Sequence, residues 1–265
     1  MGTMNHVSFG WPTPALSYLM ACVGAALGLR CTLRALSATG PSRRNWLLTA
    51  AAAIGSGIWT MHFVAMFGFT VEGTELRYDV PLTVLSLLVA VVVVGIGVFT
   101  VGYGRHRNRS ILLGGLTTGV GVAAMHYLGM AALRLHGTVE YTPATVVLSV
   151  AIAVGAATAA LWAAVAIRTL VAAGGAALIM GVAVSCMHYT GMAAVHVHLD
   201  PARTDLGGAT PMQFVFPLAV GLGSFLFLTS AFVALSPTAQ ERAAYREAGE
   251  LAIEDLGAAD LDRAA

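Results

Sequence analysis

Met-His-aromatic-x-x-Met occurs three times in this chain: Met61-His62-Phe63-Val64-Ala65-Met66, Met125-His126-Tyr127-Leu128-Gly129-Met130 and Met187-His188-Tyr189-Thr190-Gly191-Met192. An imidazole nitrogen beside a thioether sulfur suits copper, with Met selecting Cu(I), whereas imidazole alone also suits zinc, iron or nickel. On a helix, residues i and i+4 lie one above the other on one face. His62 with Met66, His126 with Met130 and His188 with Met192 are therefore the candidate ligand pairs. The preceding Met61, Met125 and Met187 are rotated by ~100° and are weaker additions to the same set. At His+1 stand Phe63, Tyr127 and Tyr189. Only the two tyrosines carry a hydroxyl able to touch a ligand or orient an imidazole, and plain packing is an equal reading for all three.

These residues sit in strongly apolar stretches, where an ionisable side chain is costly and marks function by default. The chain has 265 residues, 57% hydrophobic and 10% charged, with a mean hydropathy of +0.79. Soluble domains carry about 25% charged residues, so an all-α integral membrane protein is expected, embedded in a lipid bilayer. A net charge of +1 makes no case for nucleic acid. Cys22, Cys31 and Cys186 have no paired spacing and read as small buried hydrophobes. No cleavable signal precedes the first apolar run.

A span needs about 20 mostly apolar residues. Seven stretches qualify, at residues 13–36, 46–70, 80–103, 110–134, 143–168, 172–198 and 212–236, with an N-terminal segment 1–12 and an acidic tail 237–265. Arg43, Arg44, Arg105, Arg107, Arg109 and Arg168 follow odd-numbered spans, while Arg77 and Arg203 follow even-numbered ones among Glu72, Glu75, Asp79, Glu140, Asp200 and Asp205. The positive-inside rule then predicts an outer N-terminus and a cytoplasmic C-terminus. The motif histidines are 64 and 62 positions apart, two spans per repeat. The first six spans are thus three two-helix repeats running in parallel sense, and all three motifs fall on spans 2, 4 and 6. Each His lies roughly eight to ten residues before its span's outer end, about 12–15 Å of helix. Three helices about one axis would bring the imidazoles together. Gly24 and Gly28, with Gly115 and Gly119, offer small-residue ridges for close approach.

No Asp or Glu lies within a span, which disfavours Mg²⁺ or Ca²⁺ at this depth. His136, His196, His198 and His6 form an outer group; His196 and His198 would need a frayed helix end to act together, and wet surface is the plainer reading. Cys186 lies ~200° around the helix from His188 and is not an expected ligand.

The three motifs resemble the MHYT domain, a bacterial integral-membrane sensor module, over spans 1–6 and into the seventh. Met187-His188-Tyr189-Thr190 is the full signature; Leu128 replaces Thr in the second copy, and Phe63-Val64 replace Tyr-Thr in the first. The resemblance implies a copper centre formed by Met61, His62, Met66, Met125, His126, Tyr127, Met130, Met187, His188, Tyr189 and Met192, responsive to O₂, CO or NO, or to redox state. It implies a multi-pass protein of the bacterial cytoplasmic membrane, without catalytic residues. Relatives carry fused output domains, whereas residues 237–265 are too few to form one, so a separate cytoplasmic partner is expected. Two other readings stay open: a copper-handling transporter or chaperone, and a redox protein holding non-covalent haem between two of the histidines.

Overall fold

A computed structural model describes residues 4–5, 12–167, 169–200 and 206–236. His6, Arg168, Arg203, Asp205 and the acidic tail lie outside the described residues. Seven helices are long and apolar enough to cross a membrane. They are α1 (Pro12–Leu36), α2 (Gly40–Met66), α3 (Val80–Tyr103), α4 (Arg107–Ala131), α5 (Pro143–Ala166), α6 (Leu170–Ala193) and α7 (Phe216–Leu235), the last preceded by a π-helical turn at Pro211–Val215. Local chemistry sets the helix starts. Proline opens α1 and α5, where a missing N–H costs nothing. Asp79 caps α3 by accepting from the Leu82 N–H at 3.1 Å. Gly40, at φ +55°, turns the chain from α1 into α2 in a conformation side chains disfavour.

Each of α1 to α6 packs on the next, and α6 packs back on α1, closing a six-helix ring. Small residues set the spacing. A Cβ on Gly24 would fall 2.8 Å from the Gly57 Cα, and one on Gly119 would fall 2.4 Å from the Val154 Cα. The expected ridges on α1 and α4 are therefore real contact surfaces. Between α2 and α3 the Trp59 indole N–H donates to the Ser86 hydroxyl at 2.9 Å. The chain divides into residues 1–230, which hold the ring, and residues 231–265, of which 231–236 are described as the end of α7.

Three expected span ends are corrected. Hydropathy carries spans 2, 4 and 6 to residues 70, 134 and 198, but α2, α4 and α6 stop at Met66, Ala131 and Ala193. Beyond each helix end the chain turns to strand: β2 (Thr70–Val71), β4 (Leu133–Arg134) and β6 (Val195–Leu199). Val195-His196-Val197-His198-Leu199 alternates apolar and polar, a period-two pattern that a helix cannot bury on one face. Each motif His is thus about one turn from its helix end, not two to three turns. Three antiparallel ribbons form at this end: β1 (Met4–Asn5) with β2, β3 (Arg77–Tyr78) with β4, and β5 (Gly137–Tyr141) with β6. At the opposite end Arg34 stacks over Trp46 and Arg43 over Tyr103, 5.0 and 4.9 Å from the ring centroids, and Arg43 also donates to the Gly102 carbonyl.

Candidate metal centre

The three motif histidines meet on the ring axis. The Nδ1 of His62 lies 3.0 Å from that of His188 and 3.1 Å from that of His126. Ring centroids are 4.8 Å (His62–His126), 5.0 Å (His62–His188) and 5.2 Å (His126–His188) apart, each pair edge-to-face. All three side chains are buried. The convergence arises from the repeat: one helix of every pair presents its His at the same height toward a common axis.

Hydrogen bonding alone does not satisfy this cluster. A neutral imidazole has one N–H and one lone pair, and His62 Nδ1 faces two other Nδ1 atoms. If it carries the proton, it can donate well to only one. If it is bare, its Nε2 carries the proton, and that atom is buried without a partner, as is the Nε2 of His126. A cation taking the three Nδ1 lone pairs removes that competition at the centre, and the Nε2–H groups of His62 and His126 then lie unpaired against Gly129 and Gly191. Metal–imidazole bonds of ~2.0–2.1 Å in a trigonal set require nitrogens about 3.5 Å apart, so the two contacts to His62 need to open by ~0.5 Å, and ligand atoms of all three residues lie within 4.8 Å of one another. The residues present fit a single ion.

The aromatic at His+1 packs edge-to-face on its own imidazole in every copy, at 4.7 Å for Phe63, 4.9 Å for Tyr127 and 5.0 Å for Tyr189. The hydroxyl of Tyr127 turns away from the triad and donates to Ser149 at 2.6 Å, since Ser149 itself donates to the Val146 carbonyl. Phe63 is enclosed by Trp59 and Tyr78, while Tyr189 is 41% exposed. Packing against the histidine is the feature common to the three copies.

The methionines divide. Met66 and Met192 line one cavity together with His188, whereas Met130 lines a second cavity with Tyr127, beneath β4 and β5. Met61, Met125 and Met187 are buried, and Met187 faces an apolar cavity of about 60 Å³ on the other side of the triad. That cavity continues the histidine stripe: Ile58, Val122 and Val184 stand at His−4, then Ile54, Thr118 and Met180 at His−8. His196 and His198 are corrected. They lie on β6 rather than at a frayed helix end, so both point to the same exposed face, bonded to Thr142 at 2.9 Å and to Glu140 at 3.3 Å. His136 bonds through its backbone N–H to the Thr74 hydroxyl at 2.9 Å. Cys186 is exposed on α6, away from the triad.

One set of site residues is absent from the ligand reading: the residues at His+3. A Cβ on Gly129 would lie 2.7 Å from the Nε2 of His62, and one on Gly191 would lie 2.5 Å from the Nε2 of His126. Each glycine makes room for the imidazole of the preceding repeat. Glycine at His+3 in two of three copies is visible in the sequence; its purpose requires the neighbouring helix.

Outside the spans, the Arg134 guanidinium, 2.8 Å from Asp79, and the Leu82 N–H hold the Asp79 carboxyl below its ordinary range. Burial raises Tyr78 and Tyr141 above the usual phenol value.

A closed ring of membrane-spanning helices with a buried tri-histidine centre is the class of protein defined so far. The sequence profile described as "MHYT: Bacterial signalling protein N terminal repeat" matches three times, at residues 55–115, 119–177 and 181–244, and the chain belongs to this family. The matched units begin within α2, within α4 and within α6, and the third runs on through α7. The chain is 41% identical over 190 residues to the bifunctional diguanylate cyclase/cyclic di-GMP phosphodiesterase MucR of Pseudomonas aeruginosa, covering 70% of this chain and 28% of that protein. It is 39% identical over 198 residues to the cyclic di-GMP phosphodiesterase NbdA of the same organism, covering 72% and 25%. To the signaling protein YkoW of Bacillus subtilis it is 29% identical over 208 residues, covering 74% and 25%. The chain thus spans about a quarter of the length of these relatives. No solved structure matches.

Proposed function

We propose that the ring is the sensory module of a membrane signalling system, with copper held by His62, His126 and His188 and with Met66 and Met192, which share a cavity with His188, as thioethers available beside it. The single observation that carries this reading is the meeting of three buried imidazoles, one from each repeat, with His62 Nδ1 within 3.1 Å of the Nδ1 atoms of both others. Bound copper supplies a position at which O₂, CO or NO coordinates, or a one-electron redox change. The chain's own residues hold the imidazoles, exclude water and keep the ring packed around them. A change at the centre bears on α2, α4 and α6 together, and so on the arginine-rich end where these helices begin. That end faces the cytoplasm on the positive-inside argument. Output runs through a separate protein or domain, in the manner of relatives whose names include cyclic di-GMP turnover.

Transport is less well supported. Conduction needs successive ligand sites across the membrane, and the stripe on the other side of the triad is Ile58, Val122 and Val184. Haem is also less well supported, because imidazoles 4.8–5.2 Å apart leave no slot for a macrocycle between them. The test is spectroscopic. Cu(I)-loaded protein exposed to CO should show a copper-carbonyl infrared band, lost in His126→Ala; protein that takes up no copper under reducing conditions overturns the proposal.

A further inference from the structure

The three seams between the histidine-bearing helices are not equivalent. At the α2–α4 seam His62 packs on Gly129, and at the α4–α6 seam His126 packs on Gly191. The repeat places Ala65 opposite His188 at the α6–α2 seam, where a methyl group fills the space that glycine leaves free elsewhere. There the packing opens. A cavity of about 290 Å³ is lined by Ala65, Met66, Phe69, His188, Tyr189, Met192 and Ala193.

Each seam also carries a strand ribbon. The β3–β4 ribbon ties the segment after α2 to the end of α4, and the β5–β6 ribbon ties the segment after α4 to that after α6. At the α6–α2 seam the segment before α1 takes this part: the β1–β2 ribbon ties it to the segment after α2, and Tyr78 and Ala209 add a bridge between the segments after α2 and α6. What sets the α6–α2 seam apart is its helix packing: alanine in place of glycine at His+3, and a cavity that reaches a triad histidine.

We propose that this seam is the port of the centre: a soft cation reaches and leaves the triad between α2 and α6, passing Met66 and Met192 and binding first at His188. The inference rests on the metal reading for the identity of the cation, but the port itself is a property of the protein without metal. The chemistry of the wall fits that traffic. Two thioethers and an imidazole bind Cu(I) and discriminate against hard cations, and Tyr189 and Ala193 form an exposed rim. The cavity at the end of α4, lined by Met130 and Tyr127, contains no histidine and reaches no member of the triad.

Two measurements on the detergent-solubilised full chain test this. In the metal-free protein, brief treatment with diethyl pyrocarbonate and then peptide mass spectrometry should show His188 modified about tenfold faster than His62 or His126, a barrier difference of ~1.4 kcal/mol. Equal rates at the three residues overturn the port whether or not the protein binds copper. In Cu(I)-loaded protein, Ala193→Phe should slow extraction by a bicinchoninate chelator by about tenfold at unchanged copper content. Ala131→Phe, the matching position on α4, should leave the rate as in wild type. Equal slowing by both variants, or by neither, refutes the port while leaving the metal centre standing. Absence of bound copper in wild type with selective His188 modification refutes the metal reading and retains the port.

Discussion

His62 and Gly129 fit one another across the α2–α4 seam: the imidazole Nε2 rests where a Cβ on residue 129 would come within 2.7 Å. His126 and Gly191 repeat the relationship at 2.5 Å. The centre therefore depends on residues that bind nothing. A glycine on one helix sets how far the imidazole of another can reach toward the axis.

Gly129→Ala and Gly191→Ala should each destabilise the protein by ~1–3 kcal/mol, the usual range for overpacking, because a ring has little freedom to retreat. They should also weaken metal binding by displacing His62 or His126. Ala65→Gly should cost only the helix-interior glycine penalty of ~0.5–1 kcal/mol and keep the metal. Thermal unfolding with Cu(I) competition titration checks all three; wild-type affinity in Gly191→Ala would show that the close fit is incidental.

Tyr127→Phe should cost about 1 kcal/mol, the worth of an ordinary hydrogen bond, here the one donated to Ser149. Phe63→Tyr should not supply a missing hydroxyl function. Residue 63 is enclosed by Trp59, His62 and Tyr78, so an added hydroxyl without a partner costs ~1–3 kcal/mol. Chemical unfolding of the two variants separates these effects from changes in copper content. A more stable Phe63→Tyr protein would mean a partner exists for the hydroxyl.

The Asp79–Arg134 pair joins the cap of α3 to β4. Its carboxyl is held below the ordinary value of 3.8, first by Arg134 and then by the Leu82 N–H. Because the folded-state value is the lower one, stability from this pair is present above the ordinary value of 3.8 and is lost as the pH falls from there through the lower folded-state value. Asp79→Asn should therefore lower the melting temperature at neutral pH, and the gap from wild type should close in that acid range. A gap independent of pH would assign the effect to packing rather than charge.

Much of this arrangement is legible in the sequence. Seven apolar runs, the arginine clusters and the recurrence of His62, His126 and His188 imply parallel repeats around an axis, and the triad does meet there. The helix ends are not legible in the same way, because residues 67–69 and 132–133 continue the apolar character of the spans, and hydropathy does not distinguish a buried strand from a helix. The alternation in Val195 to Leu199 is the signal that corrects the third of them. Side-chain direction is less legible still. The i+4 rule places Met66, Met130 and Met192 on the histidine face, but it does not say that Met66 and Met192 share a cavity with His188 while Met130 lies in another. That difference arises from the seams, where residues of distant repeats meet.

The central claim is that three repeats build one centre, and copper stoichiometry in histidine variants tests it most directly. Wild-type protein loaded under reducing conditions should hold one Cu(I) per chain. His126→Ala should lose most of it, and His126→Ala/His188→Ala should lose little more, because groups sharing one site couple strongly. His106→Ala, at the exposed start of α4, should bind as wild type. If each of His62→Ala, His126→Ala and His188→Ala instead removes an equal and additive share of the bound copper, the motifs are separate sites and the account is contradicted.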